Sequence, residues 1–204
     1  MKKLLMVFAA VLVLSGCSLF ADYYNAGVLA DEMNKAVLAL NKNSEASDKI
    51  DTLYGEINTL SESMNEPNQQ VLDQINTKLT EIRKISTDYK AELERVSKQV
   101  PDFQAKSAKL EDPEIKQLAE TFLADFKTSI DAELNFAAGY EKMITTDETA
   151  FKAIAEGKEP PSDAVYDQLN TELTTLNDKL KQTIDQFNKS WDEFSRKATG
   201  TGVE

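Results

Sequence analysis

The chain has 204 residues, 35 Asp+Glu against 23 Lys+Arg, a formal net charge of −12, one cysteine and no histidine. That balance opposes nucleic acid and anionic headgroups and counts against broad binding of anionic wall polymers. Without histidine or a spare thiol, Ser-His-Asp and Cys-His nucleophiles, His- or thiolate-bound zinc and Glu-x-x-His di-iron centres are excluded, so neither a metal nor another cofactor is expected.

The first element is a leader. Lys2 and Lys3 give a positive start, Leu4 to Leu14 run apolar without a charge, and small residues precede the lone cysteine, Cys17. This is the layout of an export signal over residues 1–16. Its apolar run is about 11 residues, short of the roughly 20 that span a bilayer as a helix. Leu14, Ser15, Gly16 and Cys17 resemble the bacterial lipobox. That resemblance implies cleavage before Cys17, a diacylglyceryl thioether on its sulfur and a lipidated new N-terminus. An N-acyl group there is left open, as is the envelope class, because the lipobox occurs in both Gram types and Ser18 permits outer-membrane sorting. Two acyl chains anchor stably where one does so only marginally.

Removing Lys2 and Lys3 leaves 21 basic against 35 acidic residues, a net charge of −14 for the mature part. Residues 17–21 then form the lipidated N-terminus and a short linker, 22–198 a helical bundle domain, and 199–204 a flexible tail. With so short a linker the folded part stands close to the membrane, and Tyr23 and Tyr24 rest either at headgroup level or on the base of the bundle.

Beyond the linker the chain is poor in Gly and rich in Ala, Leu, Lys, Glu, Gln and Asp, a helical composition. Pro67, Pro113 and Pro160-Pro161 divide it into four arms of about 35–45 residues, because proline is tolerated in a helix's first turn but not in its interior. In the first arm Leu29, Met33, Ala36, Val37 and Leu40 make one apolar stripe, and Ile50, Leu53, Tyr54, Ile57, Leu60 and Met64 another. The polar run Asn41 to Ser47 between them predicts a break, with Ser44 capping a new helix. Asn65-Glu66-Pro67 marks the next helix start. The second arm places Leu72, Ile75, Leu79, Ile82, Tyr89, Leu93, Val96, Val100 and Phe103 at alternating steps of three and four, interrupted by Ser86, with a bend at Pro101.

Asp112-Pro113-Glu114 reads as an N-cap, an N1 proline and an acidic first turn. The third arm carries a wider stripe: Ile115, Leu118, Phe122, Phe126, Ile130, Leu134, Ala137, Tyr140 and Ile144. Thr146-Asp147-Glu148 is positioned to restart a short helix with Phe151 and Ile154, ended by Gly157. Ser162 caps the fourth arm, whose stripe is Tyr166, Leu169, Leu173, Leu176, Leu180, Phe187 and Phe194, with Ile184 and Trp191 alongside. Short turns make neighbouring arms antiparallel. The expected fold is all-α: an elongated antiparallel bundle of three to four long helices with coiled-coil or spectrin-like packing, each helix of 35–40 residues being about 55 Å long.

Trp191 sits on an apolar face and is expected in the core. The polar turns Asn65 to Gln70 and Lys158 to Asp163 are the candidate exposed tips, each readable as a simple connection. Glu94 with Lys98, Asp192 with Arg196 and Glu193 with Lys197 are spaced four apart, as helix-supporting pairs are.

Three stretches carry a family likeness: Leu53-Tyr54-Gly55-Glu56-Ile57, Tyr140-Glu141-Lys142 leading to Phe151, and Phe187-Asn188 with the aromatics after it. Together with Leu14 to Cys17 and the helical body, they resemble the cell-wall-binding, YkyA-like lipoproteins of Gram-positive bacteria. Trp191 and Phe194 depart from that pattern, where a Thr and a Tyr-Asn are expected. The resemblance implies wall association and brings no catalytic residues. The expected function is thus non-enzymatic: a lipid-anchored extracytoplasmic rod that contacts peptidoglycan or an envelope protein. The alternative is a chaperone-like or adaptor module holding an envelope protein along an exposed apolar groove. A carboxylate-only hydrolase is the third reading, and it requires a cleft holding two acids of raised pKa.

Overall fold

A computed structural model of the chain describes residues 24–41, 44–64 and 66–199. Six helices follow in order: α1 (Tyr24–Asn41), α2 (Ser44–Ser63), α3 (Gln69–Ser97), α4 (Val100–Ser107), α5 (Pro113–Ala155) and α6 (Asp163–Thr199). No strand occurs among the described residues. The long helices pack against one another as an all-α bundle, as the 3–4 spacing of apolar residues requires.

The helix boundaries have local causes. α1 ends at Asn41 and α2 begins at Ser44, inside the polar run that breaks the first arm. Asn68, rather than the Asn65-Glu66-Pro67 triplet, caps α3. Its Oδ1 accepts from Val71 N at 3.2 Å, and its carbonyl accepts the first helical bond from Leu72 N. Pro101 does more than bend the second arm. It has no N–H to offer the Ser97 carbonyl, so α3 stops at Ser97, Gln99 N closes onto Val96 O at 2.9 Å, and α4 restarts with the proline in its first turn.

Asp112 caps α5 as its sequence context predicts: Oδ1 accepts from Glu114 N at 2.8 Å and from Ile115 N at 3.0 Å. The helix then runs unbroken for 43 residues. The helix restart expected at Thr146-Asp147-Glu148 does not occur. Thr145, Thr146 and Thr149 turn their hydroxyls back to the carbonyls of Glu141, Lys142 and Thr145, so these polar side chains join the helix rather than cap a new one. α5 ends where Gly157 takes φ +65°, with Lys158 N donating to Ala153 O at 2.8 Å and Gly157 N to Ile154 O at 3.1 Å. This pair of bonds is a Schellman motif, for which glycine pays no Cβ penalty.

The chain divides into two compact units, to which α3, α5 and α6 each contribute residues. Unit 1 comprises Asn43–Ala91 and Asn135–Asn177. Its core holds Ile50, Leu53, Ile57, Leu72, Ile75, Leu79, Ile82, Tyr140, Ile144 and Leu173. Lys49 pairs with Glu81 and Glu56 with Lys78, so α2 and α3 run antiparallel. Arg83 with Glu148 and Lys90 with Glu141 set the same relation for α3 and α5.

Unit 2 comprises the segment ending at Lys42, Glu92–Leu134, and the segment from Asp178 onward. Leu29, Met33, Val37, Leu93, Val96, Phe103, Ile115 and Leu123 pack there with an aromatic cluster. Phe122 meets Trp191 edge-on at 5.1 Å and Phe194 at 4.6 Å, while Phe126 meets Phe187 at 5.2 Å. The order of these pairs makes α5 and α6 antiparallel. Trp191 is 3% exposed and belongs to the core, as its place on the stripe predicts.

Candidate functional site

Unit 1 gathers three tyrosines around one carboxyl. Tyr54 projects from α2, Tyr140 and Asp147 from α5, and Tyr166 from the first turns of α6. Tyr140 and Asp147 lie seven residues apart, two helical turns, which puts them on one face of α5. The Tyr54 hydroxyl donates to Asp147 Oδ2 at 3.0 Å. The Tyr166 hydroxyl interacts with the same carboxyl, and Tyr140 with Tyr54. The Tyr54 and Tyr140 rings meet edge to face at 6.3 Å.

Burial and hydrogen bonding pull Asp147 in opposite directions. Desolvation favours the protonated acid, the Tyr54 and Tyr166 hydroxyls favour the carboxylate, and the Glu148 charge favours protonation again. Burial wins, and the Asp147 pKa is pushed up to about 6. Burial together with the Asp147 charge raises Tyr54 and Tyr166, and burial with Tyr54 and Asp147 raises Tyr140, so all three remain neutral phenols. Beside them Arg83 grips Glu148 with Nε at 2.7 Å and Nη2 at 2.6 Å, and Nη2 also donates to the Thr145 hydroxyl. Asp51, on α2, is raised by burial and by Asp48.

Unit 2 contains a different buried acid. Glu133, 5% exposed on α5, is pushed up to about 8 by desolvation alone. It stands on the apolar stripe between Ile130 and Ala137, at steps of three and four, where a charged residue is foreign.

A shallow groove of about 530 Å³ lies along α6 in unit 1, lined by Asp167, Gln168, Thr171, Glu172, Thr175 and Leu176. None of the acids of raised pKa lines it. Among the described residues no group of three or more His, Cys, Asp or Glu is arranged to hold a metal, and no helix is long and apolar enough to cross a membrane. Phenols and one carboxyl of elevated pKa can exchange a proton and rearrange hydrogen bonds.

The residues singled out from sequence fall unevenly on the structure. Leu14, Ser15, Gly16 and Cys17, with the leader, linker and Tyr23, lie outside the described residues, as do the Tyr24 side chain, Asn65 and the tail beyond Thr199. Residues Glu66 to Asn68 and Lys158 to Pro160 are exposed connections, and Gln69 and Gln70 are exposed in the first turn of α3. Of the expected i,i+4 pairs, Arg196 meets Asp192 through its main-chain carbonyl, and Lys197 reaches Glu114 on α5. Among the described residues the large apolar side chains left exposed are Leu38 and Val165, one in each unit and not part of a stripe.

Sequence reasoning missed the half-buried Asp147 and the buried Glu133. Tyr54, Tyr140 and Tyr166 were placed on apolar stripes, but a buried phenol wants a partner for its hydroxyl. Three phenols on those stripes, with Asp147 in phase with Tyr140, are the signal for the cluster.

One family model matches residues 29–200: YkyA, described as “Putative cell-wall binding lipoprotein”. No curated protein and no solved structure matches the chain.

Proposed function

The chain belongs to the YkyA family, and from that membership we propose that it is a lipid-anchored, non-enzymatic protein of the extracytoplasmic face of the cell membrane. Its helical bundle binds the cell wall or a protein of the envelope. The family match across most of the chain carries this reading. The run from Lys2 to Cys17 supports the anchor, with Cys17 as the site of the diacylglyceryl group and Leu14, Ser15 and Gly16 as the cleavage motif.

The non-enzymatic reading is supported by chemistry. The chain has no histidine, its lone thiol is the proposed lipid site, and its raised carboxyls do not line the groove on α6. An adaptor that holds a partner along an apolar groove is less well supported, because the stripes that would form it face inward within each unit.

Two measurements test the proposal. Changing Cys17 to Ser releases the protein from membranes; a variant that stays membrane-bound overturns the anchor. The lipid-free chain is retained on purified peptidoglycan, in parallel with crosslinking in intact cells. A specific protein crosslink without retention on wall material shifts the assignment to an envelope-protein partner.

A further inference from the structure

Independently of what the bundle binds, we propose that the Tyr54–Asp147–Tyr166 cluster is a proton-responsive latch that ties α2 to α5 and α6 within unit 1. The geometry is that of a latch. Asp147 on α5 accepts from the α2 phenol Tyr54 at 3.0 Å, the α6 phenol Tyr166 bears on the same carboxyl, and the Tyr140 ring meets the α2 phenol edge to face. A single proton on Asp147 therefore bears on the attachment of two helices.

The surroundings leave that carboxyl without a cation of its own. From α3 comes Arg83, but its fork is spent on Glu148 and Thr145. From α2 comes Tyr54, from α5 Tyr140 and Glu148, and from α6 Tyr166, while Asp51 on α2 bears on Tyr140. Each of these groups is a neutral phenol or another acid. Ionised, Asp147 keeps two donors but remains half-buried beside Glu148; protonated, it loses the burial penalty and the repulsion.

The folded carboxyl holds its proton up to about pH 6, against 3.8 for an unperturbed Asp. A carboxyl raised in this way stabilises the fold in acid, and the gain is lost as pH rises through about 6. For this one group the folding equilibrium is about tenfold more favourable at pH 5 than at pH 7.5. The latch is closed in mild acid and loosened at neutral pH, the reverse of the usual acid denaturation.

The test uses the purified chain. A carboxyl NMR titration places the Asp147 midpoint near 6; a midpoint near 4 overturns the proposal. Amide exchange of α2 is then compared between the parent and Asp147→Asn at pH 5 and pH 7.5. Glu133 is present in both proteins, so its titration cancels in the ratio. The parent-to-variant ratio of α2 protection falls about tenfold between the two pH values, and an unchanged ratio overturns the latch. Tyr166→Phe removes a hydrogen bond that favours the carboxylate and moves the Asp147 midpoint higher still, a shift that loss of packing alone does not produce. An unmoved midpoint removes α6 from the latch and overturns the proposal as stated.

Discussion

Gly139 faces Leu176 so closely that a Cβ built on the glycine would lie 2.8 Å from Leu176 Cδ1 and 3.2 Å from Leu173 Cδ2. The α5–α6 contact of unit 1 is thus set by the absence of a side chain. Alanine in a helix interior gains about 1 kcal/mol over glycine, but forcing a methyl into a packed contact costs about 1–3 kcal/mol. Leu176 is half-buried and can yield, whereas Leu173 is 1% exposed and cannot. Gly139→Ala is therefore expected to destabilise by about 1 kcal/mol net. Gly55 on α2 is the internal comparison: nothing lies within 4 Å of its added Cβ, so Gly55→Ala stabilises by roughly 0.5–1 kcal/mol. Denaturant midpoints of the two variants should move in opposite directions. If both rise together, the close approach is not what holds Gly139 in place.

Asp112 gives a second expectation. Its carboxylate satisfies two N–H groups that would otherwise be orphaned at the start of α5. Asp112→Ala should cost about 1 kcal/mol, and Asp112→Ser much less because serine retains the acceptor. Gly157 closes the other end of the same helix, and Gly157→Ala should cost about 1 kcal/mol through its φ of +65° although nothing crowds the site. Chemical denaturation of the three variants checks both ends of α5. Equal losses for Ala and Ser at position 112 would show that capping is not the reason.

These two ends show how much of the fold was legible. Asp112-Pro113-Glu114 and Gly157 are local signals whose physics is complete within a few residues, and each sits where it was expected. The stripe from Leu72 to Phe103 was legible for the same reason: its period alone decides which face is buried, and every residue of it, Ser86 included, is buried. Thr146-Asp147-Glu148 misled because cap-forming residues are ambiguous. In isolation they favour a helix start, but Asp147 is held mid-helix by a phenol 93 positions away in sequence. Glu133 was invisible for a related reason, since nothing within its own turn distinguishes a buried glutamate from a solvated one. Of the residues assigned from sequence to the anchor, Cys17 and its motif are read from residue order alone.

Trp191 supports a prediction about the core of unit 2. It packs edge-on against Phe122 and within 5.8 Å of Phe194, so its emission should be blue-shifted and shielded from a soluble quencher. Phe122→Ala removes the ring at the centre of that cluster and should cost about 3–5 kcal/mol, with a red shift of Trp191 emission. Emission already at the solvent-exposed wavelength in the parent protein would contradict the burial.

Glu133 carries the pH prediction for unit 2. Its folded pKa is raised to about 8 from 4.5 by desolvation, so between those values the folded state holds a proton that the unfolded chain has released. Stability from this group is present below about pH 4.5 and declines as pH rises toward 8, beyond which a buried carboxylate must be carried unpaired. Glu133→Gln keeps the shape and removes the titration. The variant should match the parent near pH 5 and exceed it by a few kcal/mol at pH 9, an order of magnitude set by the size of the shift. Glu133→Leu tests the same point from the packing side, since an apolar residue on the Ile130–Ala137 stripe needs no proton at all. Urea midpoints of parent and variants at pH 5, 7 and 9 decide it. Parallel pH profiles for parent and Glu133→Gln would mean that the carboxyl reaches water in the folded state and that its place on the stripe carries no electrostatic penalty.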